Sequence, residues 1–158
     1  MADDSNLRDS DYQALAEFRY QMRRFMRSSE EAARKVGLAP QHHQLMLAVK
    51  GSSNGDPRIA YVAERLQIQH HSAVELVDRL ARKNLIVRSR GNDDHREVYV
   101  QLTSRGERIL DELTRFTRAE LRLAAPALVK TLQRITAGAK ASQPRARGGH
   151  RKPAQRKR

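Results

Sequence analysis

The sequence predicts a mostly α fold with a small β-wing, a winged helix-turn-helix that is dimeric through its N- and C-terminal helices. Three observations predict it. Two short amphipathic stretches, 58–66 and 70–83, are separated only by residues 67–69, and two short helices joined by a three-residue turn make a helix-turn-helix. Directly after them the hydrophobic period changes from helical to two. Longer helical patterns flank this element on both sides and carry more apolar surface than a small domain usually needs.

The N-terminal pattern, 11–35, contains no Pro or Gly and repeats Leu15, Phe18, Met22, Phe25 and Met26 at helical spacing, with Arg19, Arg23, Arg24 and Arg27 on its other faces. Gly37 suits its C-cap. Pro40 then fits a first helical turn, and Leu45, Met46, Leu47 and Val49 form a short buried helix ending at Gly51. Residues 51–57 read as a loop from their Gly, Ser, Asn and Pro content. In the helix-turn-helix, Ile59, Val62, Ala63 and Leu66 line one face of the first helix and Ala73, Leu76, Val77 and Leu80 one face of the second. Ile68 is placed to plug the corner between them.

Asn84 can take the left-handed conformation that ends a helix. Residues 85–90 then alternate as a strand, 91–94 supply a Gly-Asn-Asp-Asp turn, and 97–102 return as its partner, which makes a hairpin. Thr103 or Ser104 caps the next helix, with Glu107 as a capping-box partner of Ser104. That helix carries Ile109, Leu110, Leu113, Phe116, Leu121 and Leu123 to an expected break at Pro126, beyond which Leu128, Val129, Leu132 and Ile135 mark a last helix. The domain reading is a disordered 1–10, a winged-helix domain 11–137 and a disordered basic tail 138–158. Within the domain the DNA-binding lobe is about 40–102, and the dimerisation helices are about 11–36 and 103–137.

Charge points to a polyanionic partner. Lys and Arg total 31 against 18 Asp and Glu, a formal +13, and nucleic acid is the leading candidate for such an excess. Eight of the cations are Lys140, Arg145, Arg147, Arg151, Lys152, Arg156, Lys157 and Arg158, which leaves +5 for residues 1–137. With no acid and no apolar periodicity, this tail reads as a sequence-independent DNA clamp working through counterion release. Cysteine is absent, which excludes disulfides, thiolate zinc sites and thiol redox sensing. No apolar run reaches the roughly 18 residues of a membrane span, and the polar N-terminus is unlike a signal peptide, so no membrane association and a cytoplasmic, nucleoid-associated location are expected. No nucleophile elbow, phosphate-binding glycine loop or His-Glu-x-x-His pattern appears, so an enzyme is not expected.

The order of elements over about 12–135, the wing tip Asp94, His95, Arg96, the run Leu102, Thr103, Ser104, Arg105, Gly106 and the stretch AVELVDRLARKNLI at 73–86 resemble the MarR family of bacterial regulators. The resemblance implies a homodimeric transcriptional regulator, with a repressor the first expectation. It implies binding to a pseudo-palindromic operator in double-stranded DNA and room for a small aromatic or phenolic effector. An architectural, nucleoid-type DNA binder is the alternative. The second helix of a helix-turn-helix places its N-terminal residues near base edges, here Gln69, His70, His71, Ser72 and Glu75, with Arg79, Arg82 and Lys83 nearer phosphates. Gln can read adenine and Glu can accept from cytosine. The resemblance puts the wing tip in the minor groove, with Arg96 inserted, Asp94 bracing it and His95 where many relatives hold a second Arg. Arg88 and Arg90 on the first strand are further phosphate candidates.

The histidines His42, His43, His70, His71 and His95 read as solvent-exposed or DNA-facing rather than as a metal site, because adjacent residues on a helix point about 100° apart. No cofactor or metal is expected. The arginine row on the first helix reads as a solvated face. Tyr12, Phe18, Tyr20 and Phe25 suit either the dimer seam or an effector cleft.

Overall fold

The computed structural model describes residues 7–53, 55, 57–90 and 98–140, with side chains described up to residue 137. Its elements are α1 (Asp9–Lys35), α2 (Pro40–Lys50), α3 (Ile59–Leu66), α4 (His70–Arg82), β1 (Ile86–Arg90), β2 (Val98–Leu102) and α5 (Ser104–Lys140). The two strands pair antiparallel, in a register running from Ile86 opposite Leu102 to Arg90 opposite Val98. A bridge between Arg58 and Tyr99 and an N–H bond from Val100 to the Pro57 carbonyl (2.9 Å) tie the lead-in to α3 onto the outer edge of β2.

Three helices end in one way. After α1, α3 and α4 the chain turns through Gly37 (φ 77°), Gln67 (φ 54°) and Asn84 (φ 55°), all left-handed. In each case the next residue donates back to the carbonyl five positions earlier: Leu38 to Ala33, Ile68 to Ala63 and Leu85 to Leu80, each at 3.0 Å. This is the Schellman closure, which satisfies carbonyls at the helix end and drives the following apolar side chain inward. Leu38 and Leu85 are buried and Ile68 packs against the core. Ile68 therefore plugs the helix-turn-helix corner as expected, held there by a glutamine in a conformation that favours glycine.

The core lies between α2, α3, α4, the hairpin and the first half of α5. Leu45 and Met46 of α2, Val62 of α3, Val77 and Leu80 of α4, Ile86 and Val100 of the hairpin and Leu113 of α5 are the largest fully buried side chains. The apolar faces read for α3 and α4 are the ones buried. α1 differs, burying only Ala14, Ala32 and Ala33. Leu15, Met22 and Met26 stay exposed, as do Phe116, Leu121, Val129 and Leu132 of α5, and Leu123 is 80% exposed.

Two expectations about the last helix are corrected. α5 runs unbroken through Pro126 to Lys140, so there is one helix of 37 residues rather than two. Proline removes a single backbone donor, and within a helix already packed along α1 that loss does not end the helix. The capping box is also absent: Thr103 is the cap, its Oγ1 accepting from the Gly106 N–H (3.0 Å) and donating to the Asn84 carbonyl (2.9 Å), while Glu107 pairs with Lys50. Among the described residues, no helix is long and apolar enough to cross a membrane.

Candidate nucleic-acid interface

The residues expected from the sequence to lie nearest base edges begin at the first turn of α4. Ala73, Leu76, Val77 and Leu80 lock one face of this 13-residue helix into the core. The opposite face must therefore be wet. It presents Gln69, His70, His71 and Glu75 exposed and Ser72 half-buried. Gln69 occupies the cap position with extended backbone, and no side chain bonds the first-turn N–H groups, which leaves donors and side chains of that turn open to one partner. Glu75 is held by Arg79 at 3.4 Å, an exposed pair one turn apart of the kind that contributes only about 0.3–0.5 kcal/mol. Either group is free to exchange that partner for a base or a phosphate.

The remaining candidates are spread out. Lys83 is about 21 Å along the helix axis from Gln69, and its Nζ donates to the Gly37 carbonyl (3.1 Å) at the end of α1. Arg88 of β1 pairs with Asp78 of α4, so the strand that enters the wing is tied electrostatically to the recognition helix. The sequence reading missed Asp78, because a carboxylate ten residues before its partner, across a helix-to-strand turn, leaves no periodic trace. Arg90, at the far end of β1, is exposed. Asp94, His95 and Arg96 lie outside the described residues, as do Arg145, Arg147, Arg151, Lys152, Arg156, Lys157 and Arg158. Lys140 is the last residue of α5.

Two histidines overturn the expectation of exposure. His42 and His43 of α2 are 6% and 5% exposed, because the first turn of α2 is packed beneath α4 rather than facing solvent. Both ring nitrogens of His42 lack a hydrogen-bond partner among the described residues. Burial lowers the pKa of both imidazoles below the ordinary 6.5, and Lys83 and then Arg79 lower that of His42 further. Below pH 6.5 the unfolded chain takes up protons that the folded chain refuses, so stability falls as pH drops from 6.5 through the lowered folded values. Thermal melts between pH 7.5 and 5.5 should therefore show a declining Tm, with a shallower decline in His42→Leu. Equal slopes in the two proteins would place the titration elsewhere.

A helix-turn-helix whose second helix leads through a left-handed turn into an antiparallel hairpin is a winged helix-turn-helix, and the expected fold class holds. The model of the MarR family matches residues 36–97 of this chain. Over 83 residues the chain is 29% identical to the HTH-type transcriptional repressor MdtR of Bacillus subtilis (strain 168), an alignment covering 52% of this chain and 52% of MdtR. The chain thus spans about half the length of that curated relative. AbsC, a MarR family transcriptional regulator from Streptomyces coelicolor, has the same fold with a TM-score of 0.66 at 17% identity, covering 86% of this chain and 98% of AbsC. A mutant of S. aureus MepR bound to an oligodeoxyribonucleotide gives a TM-score of 0.59 at 18% identity, covering 82% of this chain and 94% of that one.

Proposed function

We propose that the protein is a sequence-specific, homodimeric DNA-binding transcriptional repressor. The observation that carries this reading is the polar, uncapped first turn of α4, Gln69 to Ser72, held on a helix whose other face is anchored in the core. A rigid helix with an open polar N-terminal turn is the geometry that enters a major groove. The name of MdtR, a repressor, and the DNA-bound state of the MepR mutant support it. Dimerisation is supported by the apolar side chains that α1 and α5 leave exposed, from Leu15 to Met26 and from Phe116 to Leu132. A row of this extent along two adjacent helices is more than a monomer leaves in water, and a two-fold axis would cover it with itself.

The test is binding to the DNA upstream of the protein's own gene against random duplex at several salt concentrations. A specificity ratio of about 10³ or more is expected of a regulator; a ratio near unity would make the protein an architectural binder instead. Within the wing, Arg96→Ala is expected to weaken operator binding by about 1–3 kcal/mol, because a narrow minor groove concentrates negative potential around an inserted guanidinium. Unchanged affinity in a fluorescence-anisotropy titration would remove the wing from the interface.

A further inference from the structure

We propose that a groove between α2 and the end of α3 docks an amphipathic helix of a partner protein, one that carries aliphatic side chains and carboxylates on the same face. The groove has a volume of about 500 Å³, within the range of concave binding sites. Its floor is apolar, with Leu47 and Ala48 from α2 and Tyr61 and Leu66 from α3. Tyr61 and Leu66 also pack against the core, so the floor is held in place. Gln44 and Gln67 add exposed amides. Arg65 is the one charged side chain that lines the groove among the described residues.

Leu45, Met46 and Val49 of α2 are buried, whereas Leu47 is 48% exposed. Most of the other exposed large apolar residues lie on α1 and α5, where a second copy of the chain would cover them. Leu47 stands outside that row. A single exposed leucine is ordinary; what distinguishes this one is the charge beside it. The Arg65 guanidinium lies 5.8 Å from the centroid of the Tyr61 ring, a cation–π contact that restrains it. Arg27, Arg34, Lys50, Arg79 and Arg88 each have a carboxylate within ion-pair distance. Arg65 has none among the described residues. The dipole of α3 favours a cation at that helix end but leaves its N–H donors unanswered. A carboxylate, which a guanidinium can hold through two parallel bonds, is the group that answers them.

The backbone on both sides is already used within the helices. α2 closes with Gly51 donating to the Leu47 carbonyl (2.9 Å), and α3 with Gln67 donating to Glu64 and Ile68 to Ala63, both at 3.0 Å. Two helices offer no strand edge for an extended peptide, so the occupant must satisfy its own backbone, as a helix does. Side chains one turn apart on such a helix lie on one face, where an aliphatic group can meet Leu47, Ala48 and Leu66 while a carboxylate meets Arg65. A phosphate backbone fits less well, because it has no apolar group to lay on the floor and engages a track of cations rather than one. Gln67 belongs to the turn that leads to Gln69, yet none of the residues placed nearest base edges lines the groove. Partner and duplex can thus be held side by side, the arrangement in which a DNA-bound regulator engages a second protein; this last step rests on the function proposed above.

The experiment is an NMR titration of the full-length protein without DNA, so that its outcome is independent of operator binding. The probe is a synthetic amphipathic peptide with leucines one turn apart and glutamates beside them; its counterpart has glutamine for every glutamate. The acidic peptide should shift the amides of Leu47, Gly51 and Gln67 and leave that of Lys83 unmoved. Leu47→Ser is expected to weaken it about tenfold through the lost apolar contact, and Arg65→Gln about threefold, as for a solvent-screened ion pair. Both substitutions are at exposed positions, and a far-UV spectrum matching the parent shows that the fold is kept. Absence of saturable binding, equal binding of the glutamine peptide, or unchanged affinity in either variant would overturn the proposal. So would displacement of the peptide by random duplex, which would make the groove part of the DNA surface, or a changed oligomeric state in Leu47→Ser, which would give the groove to a second copy of the chain.

Discussion

Replacing Gly106 by alanine is expected to destabilise the protein by about 1–3 kcal/mol, although in an isolated helix the same change stabilises by nearly 1 kcal/mol. A Cβ at this position would stand 2.1 Å from the Leu85 carbonyl oxygen and 3.1 Å from its carbon. The obstacle is backbone and it cannot yield. Its oxygen accepts the Thr103 N–H at 3.0 Å, its own N–H closes α4 on Leu80 at 3.0 Å, and the Leu85 side chain is 2% exposed in the core. Relief would have to come from lifting the first turn of α5 off the hairpin, which breaks the Thr103 cap as well. The glycine is therefore needed for a close approach of two backbones. At this chain length the cost corresponds to a fall of several degrees in Tm, against little change for Arg108→Ala, an exposed site half a turn away. A melting temperature equal to or above the parent's would mean that α5 is not seated on Leu85.

That glycine shows where the sequence is legible and where it is not. Hydrophobic period located α3 and α4, because each buries one face and the burial selects the residues; the strands were located as well, although β1 buries only Ile86 and β2 only Val100. Gly37 and Asn84 were readable as helix ends since their residue types favour positive φ. Gln67 was not, because the Schellman closure around it is set by the burial of Ile68 and overrides a local preference worth about 1–2 kcal/mol. Pro126 misled for the same reason in reverse: a strong local signal for a break is outweighed by a helix packed on its neighbour. His42 and His43 were read as exposed once the 100° between adjacent helical residues argued against a metal site, yet a neutral imidazole is a tolerable core group, and only the tertiary arrangement buries them. The exposure of the first turn of α4 is legible because a helix with one locked face must expose the other. Asp78 and Arg88 are brought together by the chain's path rather than by spacing.

The distribution of charge leads to the second large effect, expected when residues 141–158 are removed. The cut spares α5 to its last residue, Lys140, and takes away Arg145, Arg147, Arg151, Lys152, Arg156, Lys157 and Arg158, which lowers the formal charge from +13 to +6. If each of these side chains engages a phosphate, the slope of log affinity against log salt loses about 0.9 per contact, or roughly 6 in all. Over a fourfold change in salt that is more than a thousandfold in affinity. Random duplex and operator should lose equally, because phosphate contacts carry no sequence information. The specificity ratio, which the proposed function assigns to Gln69 to Glu75 and the wing, should then be unchanged. Operator titrations at 50 and 200 mM salt with the full and shortened proteins separate these contributions. An unaltered slope would show that the tail leaves DNA untouched, and a ratio that falls with the tail would mean that the winged helix alone does not read the sequence.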